Sequence, residues 1–123
     1  MSNPLKILVV DDSKVSRALI IALIMTRQPH AVVIEAGDGQ AAVETARQEP
    51  PDLAILDINM PVMSGLEAAE QIRRLAPQTR LALLTANAQD AMRQKAQALN
   101  VPLFKKPAKG EVIDQILALL EAP

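Results

Sequence analysis

Short apolar runs recur along the 123-residue chain and alternate with longer segments of helical periodicity. The runs predict five strands, at Lys6–Val10, Val32–Ala36, Leu53–Leu56, Leu81–Leu84 and Leu103–Phe104. They lack polar alternation, which indicates strands buried on both faces of a parallel sheet. Helices fit the intervening and final segments, at Ser13–Thr26, Gly39–Gln48, Ser64–Leu75, Ala88–Leu99 and Lys109–Ala122. Because strands and helices alternate strictly, we predict a doubly wound α/β fold with right-handed crossovers and helices on both faces of the sheet.

Residues that favour helix ends support these limits. The candidate N-caps are Asp12 or Ser13, Asp38, Ser64 and Asn87. Asn100 can end the fourth helix in a left-handed conformation. The first helix has one apolar face shared by Val15, Ala18, Leu19, Ala22 and Leu23. The length is that of one ordinary domain, so we expect residues 1–123 to form a single unit.

The composition limits the chemistry and the partners. With 13 basic and 14 acidic side chains, the net charge of -1 argues against binding to nucleic acid or to an anionic membrane. The absence of cysteine excludes a thiolate zinc site and a cysteine nucleophile. The single histidine, His30, which we expect on the surface, leaves little room for a Ser-His-Asp triad. The N-terminal apolar run is too short for a signal peptide or a membrane span, so we expect a cytoplasmic protein.

Polar side chains follow four of the five predicted strands. Asp11 and Asp12 follow the first, Asp57 the third, Thr85 the fourth and Lys106 the fifth. In an open α/β sheet, ligands bind outside the carboxyl ends of the strands. The sequence therefore predicts that three carboxylates, a hydroxyl and an ammonium group converge on one edge.

Three carboxylates and one lysine carry a local charge of -2, which a divalent cation would neutralise. Hard oxygen ligands without soft neighbours favour Mg²⁺, which also accepts phosphate oxygens. An aspartate beside such an ion can attack phosphorus to give an acyl phosphate, while a hydroxyl and a lysine bind the phosphoryl oxygens. The pattern indicates phosphoryl transfer onto a carboxylate. Taken singly, Asp12 could instead cap a helix, and Asp57 and Thr85 could serve turns.

Over almost its full length the chain resembles the receiver domain of two-component response regulators. The matching motifs are ILVVDDS at Ile7–Ser13, LDINMPVMSG at Leu56–Gly65, LLTA at Leu83–Ala86 and FKKP at Phe104–Pro107. The resemblance implies a flavodoxin-like sheet of order 2-1-3-4-5 with five helices. It also implies a signalling switch that promotes only its own phosphorylation and dephosphorylation, and not an enzyme acting on other substrates.

Carried over by position, the resemblance makes Asp57 the phosphoacceptor for a sensor histidine kinase or a histidine phosphotransfer protein. It implies that Asp12 and Asp57 bind Mg²⁺ directly, that the backbone carbonyl of Asn59 is a third ligand, and that Asp11 acts through water. Thr85 would then bond the phosphoryl group, and Lys106 would pair with it. The resemblance further implies a cis Lys106-Pro107 bond, with Lys105 pointing outward.

The sequence departs from the family around the fifth strand. Leu103 stands where an aromatic residue is usual, and the segment from Asn100 to Lys106 is one residue shorter, with Asn100 at a common glycine position. Phe104 is adjacent in the strand, so its side chain points to the opposite face, and we expect it in the core under the last helix. Readout would then depend on Thr85, Lys106 and the loop at residues 86–90.

Three other interpretations compete with a phospho-accepting switch. An aspartate-nucleophile phosphatase would need an acid two residues after Asp57, where the chain has Asn59. A dinucleotide-binding module would need G-x-G-x-x-G after the first strand, where the chain has DDSKVSR. A degenerate receiver that works as a constitutive interaction domain would not need the five site residues, Asp11, Asp12, Asp57, Thr85 and Lys106, all of which are present. We expect a stand-alone receiver that acts on an output protein; a domain of a larger regulator or hybrid kinase, or a phosphorelay intermediate, is the alternative.

Overall fold

The computed structural model describes residues 3–87 and 89–121, and five parallel strands form its sheet. The strands are β1 (Lys6–Val10), β2 (Val32–Ala36), β3 (Leu53–Asp57), β4 (Arg80–Thr85) and β5 (Leu103–Lys105). The helices are α1 (Lys14–Arg27), α2 (Gly39–Gln48), α3 (Gly65–Leu75), α4 (Asp90–Ala98) and α5 (Gly110–Leu117), followed by a 3₁₀ turn at Ala118–Glu121. The sheet order is β2-β1-β3-β4-β5, which confirms the predicted fold.

Alternate residues of the central strands supply two cores, one on each face of the sheet. In β3, Ala54 and Leu56 face the α2, α3 and α4 side, while Leu53 and Ile55 face the α1 and α5 side. All five residues of β3 are buried. Burial on both faces explains why the central strands β1, β3 and β4 carry apolar runs without polar alternation.

Three of the predicted helix caps are present. The side chains of Ser13, Asp38 and Ser64 each accept a hydrogen bond from the backbone N–H three residues later. Ser13 therefore caps α1, and the alternative that Asp12 is the cap is wrong. Asn100 has φ 57°, the left-handed conformation predicted after the fourth helix.

The predicted start of the fourth helix at Ala88, with Asn87 as its cap, is wrong. The helix begins at Asp90, and its N-cap Gln89 makes no side-chain capping bond. Asn87 is instead held in a turn, because its N–H donates to Thr85 Oγ1 and its carbonyl accepts from the same hydroxyl, both at 3.2 Å. Ala88 lies outside the described residues, as does Ala122 at the predicted end of the fifth helix.

Most of the apolar face predicted for the first helix does not pack on the sheet, although one of its five residues, Leu23, is partly buried against the core. Ile20 and Ile24 are the buried residues of α1, whereas Val15 and Leu19 are 72% and 62% exposed. The middle of α1 is apolar on nearly all sides, so its periodicity does not select one face. The same exposed surface includes Ala18 and Ala22.

The described residues contain no helix that is long and apolar enough to cross a membrane. His30 is exposed, as expected. Phe104 is only half-buried; it packs against the core on the α5 side, while Leu103 packs against the opposite core.

Candidate functional site

The structure brings together the polar residues that follow four strands. Asp11 follows β1, Asp57 ends β3, Thr85 ends β4 and Lys106 follows β5. Asp11, Asp57 and Thr85 are buried, with exposures of 1%, 5% and 0%. Asp12 is exposed beside them, and carboxylate oxygens of Asp11, Asp12 and Asp57 all lie within 4.8 Å of one another. The crevice thus combines the three carboxylates, the hydroxyl and the ammonium group at one edge of the sheet.

Lys106 bridges two of the carboxylates. Its Nζ lies 2.7 Å from Asp11 Oδ2 and 3.3 Å from Asp57 Oδ2. The backbone fixes this position, because Lys106 N–H donates to the Thr85 carbonyl at 2.8 Å. The Lys106-Pro107 bond is cis, as the family resemblance implied, and Lys105 is exposed. Lys106, rather than Lys105, is the lysine inside the site.

Asp11 is the most strongly held of the carboxylates. Its Oδ1 accepts from Ser13 N–H at 2.9 Å, and its Oδ2 accepts from Ser16 Oγ at 2.5 Å and from Lys106. Burial alone would raise the pKa of Asp11, but the hydrogen bonds from Lys106, Ser16 and the Ser13 amide lower that pKa below its ordinary value of 3.8. Asp11 is therefore kept as the anion.

Asp57 has the opposite electrostatic balance. Burial raises the pKa of Asp57 above its ordinary 3.8, and the attraction of Lys106 only partly opposes this, since the charge of Asp11 acts in the same direction as burial. Burial would lower the pKa of Lys106, but its hydrogen bond to Asp11 and the charges of both aspartates raise that pKa above 10.5. Lys106 therefore stays a cation, and of the two buried carboxylates the anion of Asp57 is less stable than the anion of Asp11.

Asn59 and Thr85 form a second set of contacts beside Asp57. The Asn59 N–H donates to Asp57 Oδ1 at 3.3 Å, and its side-chain Nδ2 donates to Thr85 Oγ1 at 3.3 Å. Thr85 also bonds the backbone of Asn87. The Thr85 hydroxyl thus accepts from Asn59 Nδ2 and from the Asn87 N–H, and its own proton goes to the neutral Asn87 carbonyl, which a stronger acceptor could replace.

Gly65 allows the loop after β3 to fold tightly under the site. A Cβ at this position would lie 2.3 Å from the Asp57 carbonyl oxygen and 2.9 Å from Ile58 Cα. Gly65 N–H also donates to the Ile58 carbonyl at 3.0 Å. The start of α3 is therefore packed directly on the backbone of the residue that carries the central carboxylate.

Sequence reasoning missed two residues of α1 that contact the site. Ser16 bonds Asp11, and the Arg17 guanidinium donates to the Asp11 carbonyl and to Glu35 Oε1, the latter at 3.0 Å. A signal was available: with Ser13 as the N-cap, positions 16 and 17 lie in the first turn of a helix that starts at the strand end.

The donor set fits a hard divalent cation. All the candidate ligand atoms are carboxylate oxygens. Asp11 and Asp12 lie in the loop after β1, and Asp57 is the last residue of the central strand β3. Mg²⁺ prefers such oxygens and keeps several waters, which leaves coordination positions for phosphate. An exposed carboxylate, Asp12, gives an ion access from solvent.

The sequence is similar to known proteins of one family. A family model described as the response regulator receiver domain matches residues 7–118. A protein-glutamate methylesterase/protein-glutamine glutaminase of Rhizobium johnstonii is 38% identical over 115 residues, which are 91% of this chain and 33% of that protein. The transcriptional regulatory protein PdtaR of Mycobacterium tuberculosis is 36% identical over 96 residues, 76% of this chain and 45% of that protein. The chain therefore spans less than half the length of these relatives.

Solved structures show the same similarity. Chemotaxis protein CheY4 of Vibrio cholerae has a TM-score of 0.84 and 27% identity, covering 96% of this chain and 99% of that one. The response regulator domain of Thermotoga maritima CheB has a TM-score of 0.82 and 27% identity, covering 98% and 99%. Together with the crevice of carboxylates, threonine and lysine, these matches show that the chain belongs to the response regulator receiver domain family of two-component signalling.

Proposed function

We propose that the chain accepts a phosphoryl group on Asp57, in a Mg²⁺-dependent reaction, and that the modification changes its binding surface. The observation that carries this proposal is the position of Lys106 Nζ, which bonds Asp11 and faces Asp57 at 3.3 Å. An ammonium group at this position can form an ion pair with the negatively charged oxygens of a phosphoryl group attached to Asp57.

The reaction is a displacement at phosphorus. An oxygen of Asp57 forms the new O–P bond, and the P–N bond of a phosphohistidine breaks, its electron pair returning to the imidazole nitrogen. Lys106 and the Thr85 hydroxyl stabilise the phosphoryl oxygens as charge develops. Asp12, Asp57 and the Asn59 carbonyl would hold Mg²⁺, with Asp11 bonded through water, and the ion would offset the carboxylate charge and bind phosphoryl oxygens.

The donor would be a histidine kinase or a histidine phosphotransfer protein that docks on α1. Val15 and Leu19 are exposed, and they line a groove of about 410 Å³ that ends at Lys106 and Pro107. An apolar helix face in this groove would bring a histidine to the crevice. We place the reaction in the cytoplasm, as the sequence predicts, and we propose no nucleic-acid partner because the net charge is -1.

The site does not favour turnover of external phosphate esters. A phosphatase of this type needs a general acid two residues after the nucleophile, and Asn59 has an amide there that donates to Thr85. We propose that the chain is a switch and not an enzyme. Release of phosphate from small esters at a rate that Asp57→Asn abolishes would contradict this.

Readout would pass through Thr85, Lys106 and α4. Leu103 packs against the core on the α4 side, so the strand offers no aromatic ring there, and Phe104 packs on the other side. Ala96 is the buried residue of α4, Met92 packs partly against the core, and the N-cap of the helix makes no side-chain hydrogen bond, so α4 is held less firmly than the other helices on that face. With Mg²⁺ and beryllofluoride we expect NMR shifts at the amides of residues 85–90 and 103–106, with the Phe104 ring nearly unmoved.

The direct test is phosphorylation by a small phosphodonor with and without Mg²⁺. We expect mass spectrometry to find a single acid-labile phosphoryl group on wild type, on Asp57, and none on Asp57→Asn. Val15→Ala and Leu19→Ala should keep this reaction but slow transfer from a phosphorylated histidine kinase, because only the protein donor uses the groove. Comparable labelling of Asp57→Asn would show that the assignment is wrong.

A further inference from the structure

The hydroxyl of Ser16 contacts both members of the Asp11–Lys106 ion pair. Its Oγ donates to Asp11 Oδ2 at 2.5 Å and accepts from Lys106 Nζ at 3.2 Å. The same Asp11 oxygen accepts from Lys106 at 2.7 Å. Ser16, Asp11 and Lys106 therefore form a closed triangle of hydrogen bonds on the α1 side of the site.

We propose that Ser16 is a positioning residue that retains the Asp11 carboxylate when Lys106 turns toward a phosphoryl group on Asp57. This inference rests on the phosphoacceptor function proposed above. In the resting state Asp11 Oδ2 has two donors, Ser16 and Lys106. Once Lys106 pairs with the phosphoryl oxygens, Ser16 is the remaining protein donor to that oxygen.

The burial of Asp11 makes the second donor important. The residue is 1% exposed, and a buried carboxylate oxygen that loses its partners is strongly unfavourable. In wild type the Ser16 bond limits this penalty in the phosphorylated state. Without the Ser16 hydroxyl, movement of Lys106 toward the phosphoryl group would leave Asp11 Oδ2 without a protein donor. The resting pair of Lys106 with Asp11 would then be favoured over the pair of Lys106 with the phosphoryl group.

The hydroxyl is already oriented for this role. Ser16 lies in the first turn of α1, and its N–H donates to the capping oxygen of Ser13 at 3.2 Å. The neighbouring Arg17 holds the Asp11 carbonyl and Glu35. The helix start is thus tied to the strand end on both sides, and the Ser16 bond to Asp11 needs no rearrangement when Lys106 moves.

The test compares wild type, Ser16→Ala, Ser16→Thr and the control Thr26→Ala. Thr26 is a hydroxyl at the far end of the same helix, bonded to the carbonyls of Ala22 and Leu23. NMR titration measures the affinity for Mg²⁺ alone and for beryllofluoride at saturating Mg²⁺. We expect Ser16→Ala to bind beryllofluoride roughly tenfold more weakly, because Lys106 still bonds the Asp11 oxygen in the resting state, whereas in the beryllofluoride-bound state that buried charged oxygen is left without a protein donor. Ser16→Thr and Thr26→Ala should stay within about twofold.

Urea unfolding of the metal-free proteins measures their stability, so that a loss of beryllofluoride affinity can be distinguished from a loss of folding stability. A Ser16→Ala variant with wild-type or tighter beryllofluoride affinity would overturn the proposal, as would a Ser16→Thr variant as weak as Ser16→Ala. A loss of affinity that Thr26→Ala shares would also overturn it. If wild type itself takes up neither beryllofluoride nor a phosphoryl group, the function proposed for Asp57 fails instead.

Discussion

Gly65→Ala tests whether the tight packing of α3 on the Asp57 backbone supports both the fold and the site. The added Cβ would lie 2.3 Å from the Asp57 carbonyl oxygen and 2.8 Å from its carbonyl carbon, whereas ordinary contacts begin at 3.4 Å. The opposing atoms are backbone, so no side chain can rotate away. The helix start and the Asp57 backbone must therefore separate by about 1 Å.

The expected loss of stability follows from two opposing effects. Overpacking at a rigid contact destabilises by up to about 3 kcal/mol. Alanine in place of glycine near the start of a helix with negative φ restores about 1 kcal/mol, because the unfolded chain loses less freedom. We expect Gly65→Ala to lower the free energy of unfolding by about 2 kcal/mol. Because Asp57 is displaced, its phosphorylation should also slow, by as much as about 100-fold.

Urea unfolding and the rate of labelling by a small phosphodonor measure the two effects. The matched control is Gly37→Ala, where the Cβ would meet only the flexible end of Arg17, at 3.5 Å. Gly37→Ala should change the free energy of unfolding by no more than about 0.5 kcal/mol. Equal losses in both variants, or wild-type stability and labelling of Gly65→Ala, would refute the steric reasoning.

Three further predictions follow from the site and its loops. Asp12→Ala should lose phosphorylation yet be no less stable than wild type without Mg²⁺, because Ser13 is the cap; a loss of about 1 kcal/mol in urea unfolding would indicate a capping role. Because burial raises the pKa of Asp57 in the fold, folded wild type holds more protons than the unfolded chain between pH 3.8 and that raised pKa, and its stability falls as the pH rises through this range. Metal-free Asp57→Asn should therefore be more stable than wild type at neutral pH, with no gain below pH 3.8 from this group; a constant difference in urea unfolding at all pH values would exclude the cause. Val62 has φ 69° and is fully exposed, so Val62→Asn should raise the free energy of unfolding by about 1 kcal/mol, measured by thermal unfolding, and a lower stability would contradict strain there.

Much of the fold can be predicted from the sequence because its signals are local. The apolar runs mark the strands, since a parallel strand buried on both faces needs no polar alternation. Ser13, Asp38 and Ser64 mark three helix starts, because a side-chain oxygen there satisfies a free N–H. The residues that follow the strands could be assigned to one crevice because parallel strands all end at the same edge.

What the sequence could not decide depends on contacts between distant residues. The rotation of α1 is one case: its apolar residues surround the helix, and bonds from Ser16 and Arg17 to the end of β1 accompany the burial of Ile20 and Ile24. The start of α4 is another, because the Thr85 hydroxyl holds Asn87 in a turn.

The sequence by itself determined which side chains stand at the strand ends, because strand limits follow from local patterns of burial. Only the tertiary structure decided their pairing: Lys106 reaches Asp11 across 95 positions of the chain, and Ser16 joins them from the helix. The physical reason is that a hydrogen bond depends on distances of a few ångströms, which a one-dimensional pattern does not encode and which the packing of α1 and β5 against the sheet provides.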